Sequence, residues 1–173
     1  EACKMIDMDH FDPLYYLGHL LCPYAIKIEI DGDAEVEIEH RFTQSNALIN
    51  YRVVLYNQAN RHATVYENFV ADDIENTLVL YGYDMHLAKD STLRVVKLQT
   101  MEQKRYAMVA SHRVNVAKNA NAILKSFDLG GDQALQLLKV ELAAYGHVDA
   151  GHLLYLNEDS KRGTVSQIVH RGE

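Results

Sequence analysis

The sequence has no tryptophan and two cysteines among 173 residues, and fewer Lys and Arg than Asp and Glu (17 against 24). Two cysteines are too few for a disulfide scaffold, and their spacing does not fit zinc, which wants four ligands in tight pairs. Cys3 and Cys22 can close one short N-terminal loop, worth about 3 kcal/mol in the chain-entropy model, or stand as two free thiols; their number leaves both open. A formal net charge of −7 argues against nucleic acid, which needs Lys and Arg clustered on one face. No run of eighteen or so apolar residues is present, so no membrane-spanning helix is expected. No N-terminal segment joins a basic start to an apolar run, and the start at Glu1-Ala2-Cys3 suits a mature, processed terminus. The phosphate loop, the G-x-S-x-G elbow, H-E-x-x-H and C-x-x-C are all missing. Catalysis is therefore not expected.

What is there is alternation with period two. Tyr24, Ile26, Ile28 and Ile30 share one face, with Lys27 and Glu29 opposite. After Asp31-Gly32-Asp33, a turn signal, Val36, Ile38, His40 and Phe42 alternate with Glu35, Glu37, Glu39 and Arg41. That acidic face must meet water, because burying three unpaired carboxylates is prohibitive. Residues 48–57, 62–70, 77–83, 92–99, 104–111 and 120–126 have the length and the β-branched or aromatic content of strands. Links of a few residues favour antiparallel neighbours, since parallel crossovers need a dozen or more. The reading is an all-β, eight-stranded antiparallel up-and-down barrel in a single domain over residues 1–173, with no internal repeat. Asp132 as N-cap, a stripe of Leu135, Leu138, Leu142 and Tyr145, and Gly146 at the C′ position predict one helix packed outside the barrel. Beyond a closing strand at Leu153 to Leu156, residues 158–173 read as a loose polar tail.

With this outline, three segments resemble a lipocalin. Phe11-Asp12-Pro13-Leu14-Tyr15-Tyr16-Leu17-Gly18 is similar to the turn that enters the first strand of that family. Lys104 to Val109 resembles the start of its seventh strand, and Ala122 to Lys125, with Tyr145-Gly146-His147-Val148-Asp149 farther on, its eighth strand and helix end. Leu20 stands where the family carries a floor tryptophan. The resemblance implies a secreted protein that carries or sequesters a small hydrophobic or amphipathic ligand: a bilin, a carotenoid or retinoid, a fatty acid or a steroid. It implies no required cofactor, although bound bilin, carotenoid or haem is compatible with it, as is a homo-oligomer. Alternatives are a protein-interaction or haem-binding module on the same barrel, and third an isomerase or cyclase.

Candidate ligand-binding residues follow from inward parity and from the skew to tyrosine, eleven against four phenylalanines, since tyrosine offers apolar area with one polar tip. They are Tyr24, Ile26, Val36, Ile38, His40, Phe42, Tyr51, Phe69, Tyr81, Tyr83, Tyr106 and Met108. His40 shares a face with apolar residues, so it reads as a polar anchor or haem ligand, or else as a satisfied core histidine. No catalytic residue and no metal ligand is assigned.

Overall fold

The computed structural model describes residues 13–71, 73–100, 105–156 and 159–172. A short helix, α1 (Pro13–Leu20), precedes β1 (Ala25–Ile30), β2 (Ala34–Phe42), β3 (Leu48–Asn57), β4 (His62–Ala71) and β5 (Thr77–Leu87). The strands continue as β6 (Thr92–Gln99), β7 (Tyr106–Val116), β8 (Asn121–Asp128), β9 (Gln133–Leu142), β10 (His147–Leu154) and β11 (Lys161–His170). Proline suits the first turn of α1 because its missing N–H is an orphan there, and Pro23 bars continuation of the helix past Cys22. Among the described residues no helix is long and apolar enough to cross a membrane.

Each segment expected to be a strand from its alternation is one. Their arrangement is not the expected barrel. Odd-numbered strands form one six-stranded sheet in the order β1-β3-β5-β7-β9-β11, and even-numbered strands a second sheet in the order β10-β8-β6-β4-β2. All the pairings are parallel. The chain winds back and forth between two facing sheets as a parallel β-solenoid of about five coils. It is therefore not a lipocalin. The short-link argument failed for a definite reason: the hydrogen-bonded partner of a strand is not the next strand but the one after it. The crossover that a parallel pair requires is present between β3 and β5, and it is itself a strand, β4 (His62–Ala71).

The repeat that escaped the alternation pattern is plain in the pairing. Ala34 lies beside Ala63, Ala63 beside Leu93, Leu93 beside Ala122, and Ala122 beside Val148. Likewise Ile28, Leu55, Met85, Val114, Val140 and Ile168 form one column of the other sheet. These inward columns make the core, apart from Ile168, which is exposed on the end strand β11. The turns that carry the chain from the first sheet to the second also stack. Residues 58–61, 88–91, 117–120 and 143–146 each close a bond from an N–H to the carbonyl three residues back. Each holds its third residue in the left-handed region: Asn60, Asp90, Asn119 and Tyr145, with φ of 59, 60, 58 and 56°. Asn and Asp tolerate that conformation, which explains their recurrence.

The predicted C-terminal helix is strand β9. Its stripe misleads because β9 is buried on both faces: Leu138, Val140 and Leu142 point into the core, while Leu137, fully buried, packs on the outside against Tyr15 of α1. A strand covered on both sides reads as a near-continuous apolar run, and such a run also satisfies helical spacing. The tail expected to drape loosely contains β11, which pairs with β9 over its whole length.

Candidate functional site

Inward parity places several polar side chains inside the solenoid. One column of the second sheet runs Ile38, Glu67, Lys97, Ser126, His152, and the next runs His40, Phe69, Gln99, Asp128, Leu154. Glu67, Lys97 and Asp128 are 2, 3 and 2% exposed. Charges so buried persist only with partners, and each has them. Glu67 Oε1 accepts from the Tyr81 hydroxyl at 2.5 Å and lies 2.8 Å from His40 Nε2; the Tyr51 hydroxyl is 2.8 Å from His40 Nδ1. Lys97 Nζ lies 3.0 Å from Asp128 Oδ1, and His152 Nε2 lies 2.6 Å from Asp128 Oδ2.

The electrostatics follow from this packing. Burial alone would raise the Asp128 carboxyl, but the His152 hydrogen bond and the Lys97 charge outweigh it and hold the group well below the usual carboxylate range. Burial, reinforced by the nearby Glu67 charge, pushes the Tyr51 and Tyr81 hydroxyls up, so both remain protonated. His112, also inside, is pushed down to about 3 by burial and by the charges of Lys97 and Arg52. It is neutral at physiological pH, and its Nδ1 accepts from the Tyr83 N–H at 3.2 Å.

At one end of this polar line, in the coils that include β10 and β11, lies a cavity of about 290 Å³. Glu67, Lys97, His112, Gln136 and His152 line it, with Ser126, Thr164 and Ser166. His152 Nδ1 and Gln136 Oε1 are buried and make no hydrogen bond among the described residues. Unpaired buried polar atoms are uncommon in a folded interior, and the same is seen at Asn50, Asn57 and Asn121, away from this cavity.

A second polar cluster lies outside, where α1 crosses the first sheet. Arg52 forks onto Asp84, with Nε to Oδ2 at 3.0 Å and Nη2 to Oδ1 at 3.1 Å, and its Nη1 reaches Ser111 Oγ at 3.1 Å. Gly82 sits between Arg52 and Ser111 in the ladder; a Cβ there would strike the Ser111 carbonyl and the guanidinium. From α1, the Tyr15 hydroxyl donates to Asp84 at 2.8 Å, its ring lies over the guanidinium, and His19 Nε2 is 3.3 Å from Asp84. Burial would raise the Asp84 carboxyl, but the His19 and Arg52 contacts win and hold it low. This cluster fastens the helix to the sheet, beside a cleft of about 510 Å³ that Cys22 also lines.

The residues chosen from sequence divide between core and surface. His40, Phe42, Tyr51, Phe69, Tyr81 and Tyr83 join in a single aromatic cluster inside the solenoid. Tyr106 and Met108 are buried, Val36 and Ile38 pack against the core, and Tyr24 and Ile26 are exposed. None of the twelve lines the 290 Å³ cavity. Cys22 is a free thiol donating to the Tyr24 carbonyl, and Cys3 lies outside the described residues. Sequence reasoning missed Glu67, Lys97, Asp128, Gln136 and His152. The available signal was a charged residue at a core parity, as in Ala63-x-Val65-x-Glu67-x-Phe69; stacking the coils then sets Glu67 beside Lys97.

Among the described residues, no three His, Cys, Asp or Glu side chains converge to cage a metal ion. No curated protein and no solved structure matches the chain. One family model, described as SUF system FeS cluster assembly, SufBD core domain, matches residues 40–173.

Proposed function

Because the chain belongs to the SufBD core domain family of the SUF system, we propose that it is a scaffold on which iron–sulfur clusters are assembled. Transport of a bilin, carotenoid, fatty acid or other hydrophobic cargo is thereby overturned, along with the lipocalin barrel on which it rested. The family match carries the reading, and the solenoid supports it. Stacked parallel coils carry a buried polar line, Tyr51-His40-Glu67-Tyr81 and Lys97-Asp128-His152, that leads to a cavity open to solvent on the side of Thr164 and Ser166.

The cluster is cargo here. Clusters are typically held by four cysteine thiolates, whereas this sequence has two cysteines, and Cys22, just after α1, lines the cleft on the outside of the first sheet. The proposed scaffold therefore shares the cluster's ligands with a partner chain. Thiols and ferrous iron must stay reduced for assembly, so the proposal places the chain in a reducing compartment rather than a secreted one.

The test is loss of the protein in its own cell. Iron–sulfur enzymes are expected to lose activity while their polypeptide levels hold, with recovery on re-expression of the full chain. Unchanged iron–sulfur enzyme activities would reject the proposal.

A further inference from the structure

We propose that the outer face of the second sheet seats an amphipathic helix of a partner protein, apolar along one side and carrying Lys or Arg in its first turn. Outward positions of that sheet stack in register just as the inward ones do. Glu39, Asn68, Leu98, Phe127 and Leu153 form one outer column, and Glu37, Tyr66, Val96, Lys125 and Gly151 the column beside it. Tyr66, Leu98, Phe127 and Leu153 are 41, 38, 37 and 50% exposed. Leu129 and Tyr155, just past the ends of β8 and β10, are 38 and 60% exposed. Single exposed apolar residues are ordinary, but a contiguous stripe of them marks an interaction surface.

The charge pattern and length of the stripe select its occupant. Its apolar end lies on β6, β8 and β10, and its other end, on β2, is acidic. There Arg41 pairs with Glu39 at 2.8 Å, which leaves the charges of Glu35 and Glu37 on the same face. Lys125 is matched by Asp149 at 2.6 Å, and Arg94 stands one column to the side. Five strands spaced by about 4.8 Å make a stripe about 19 Å long, the length of a helix of about 13 residues. With its N-terminal turn over β2, such a helix sets its dipole and its Lys or Arg against Glu37. Its apolar side then lies on Leu98, Phe127 and Leu153. The solenoid already carries a helix in this direction on its other sheet. There α1 spans from β9, where Tyr15 packs on Leu137, to β3, where Asn50 donates to the Gly18 carbonyl. A second copy is the poorer occupant: face to face, two stripes bring Glu37 over its own equivalent or over the apolar end, and both desolvate carboxylates without a countercharge.

The experiment titrates the full chain into a fluorescein-labelled synthetic peptide of about 14 residues, with Leu at i, i+3, i+4 and i+7 and Lys in its first turn. Fluorescence anisotropy should show saturable binding of one peptide per chain. Phe127→Asp and Leu153→Asp, both at exposed positions, should each weaken it at least tenfold. The same peptide with Glu in place of Lys should bind at least tenfold more weakly, and Glu37→Lys should reverse that preference. Backbone NMR signals of Leu98, Phe127 and Leu153 should shift on titration while those of α1 stay in place. Circular dichroism identifies variants that fold, and Leu98→Gln repeats the measurement if an aspartate variant does not. Absence of saturable binding, binding indifferent to these substitutions, or equal binding of the Lys and Glu peptides overturns the site. A dimer in sedimentation that Phe127→Asp dissociates would give the face to a second copy and overturn it equally. Peptide binding and the activity of iron–sulfur enzymes are separate readouts, so the docking face and the scaffold role can each fail alone.

Discussion

Tyr145 occupies the turn position that Asn60, Asp90 and Asn119 fill in other coils, at φ 56°. A tyrosine lacks the short polar side chain that offsets left-handed strain, which costs about 1–2 kcal/mol. Its exposed contact with Lys118 returns part of that. Tyr145→Asn should therefore raise stability by about 0.5–1 kcal/mol, read as a higher urea midpoint at unchanged slope. A lower midpoint would show that the ring contributes more than the strain costs. Gly131 is the opposite case: at φ 86° with Tyr106 against its missing Cβ, Gly131→Ala should cost about 2 kcal/mol or more.

Acid sensitivity is also set at single residues. A histidine in the unfolded chain titrates near 6.5, whereas His112 in the fold is pushed down to about 3. Between these values the unfolded state binds a proton that the folded state refuses, so stability falls as pH drops through that window. The slope from this group is at most about 1.4 kcal/mol per pH unit. Asp84 and Asp128 are held low instead. Their contribution is present above the ordinary carboxylate value of 3.8 and is lost as pH falls below it toward their folded values. His112→Gln should flatten the decline between pH 6.5 and 4 and leave the steeper loss below 4. Urea midpoints measured across pH decide this, and an unchanged upper slope would assign it elsewhere.

At the scale of elements, α1 is held by polar contacts as much as by apolar ones. Arg52 is buried, spans Gly82 to reach Ser111, and shares Asp84 with Tyr15 and His19. Removing one partner of a buried pair leaves the other charge uncompensated, at about 3–5 kcal/mol. Arg52→Ala should cost that much, with residues 13–20 losing amide hydrogen-exchange protection while β6 and β8, in the other sheet, keep theirs. Uniform loss of protection would make the pair part of the global core instead. Element identity was most deceptive at β9. Leu135, Leu138 and Leu142 match helical spacing, yet they lie on a strand with Leu138 and Leu142 in the core and Leu135 and Leu137 against α1 on the other face.

The whole molecule is a stack of equivalent coils, each contacting its neighbours, so its stability is a sum over coils and their interfaces. Ala34 and Ala63 are adjacent equivalents. Deleting residues 34–62 joins Asp33 to Ala63 in register and should give a shorter, less stable protein that keeps β circular dichroism and cooperative unfolding. A chain left unfolded by this deletion would refute the independence of the coils.

The sequence by itself determined the strands from β1 to β8, because side chains alternate across a strand whatever its partner. It also carried the turns, where Asn60, Asp90 and Asn119 meet a local backbone demand. The tertiary structure alone decided that the strands pair in parallel with every second neighbour and that β9 is a strand. It alone brought Glu67, Lys97, Asp128 and His152 together around one interior. Pairing across a whole coil is a long-range choice, made by the stacking of inward columns, and alternation is the same for an antiparallel barrel and a parallel solenoid.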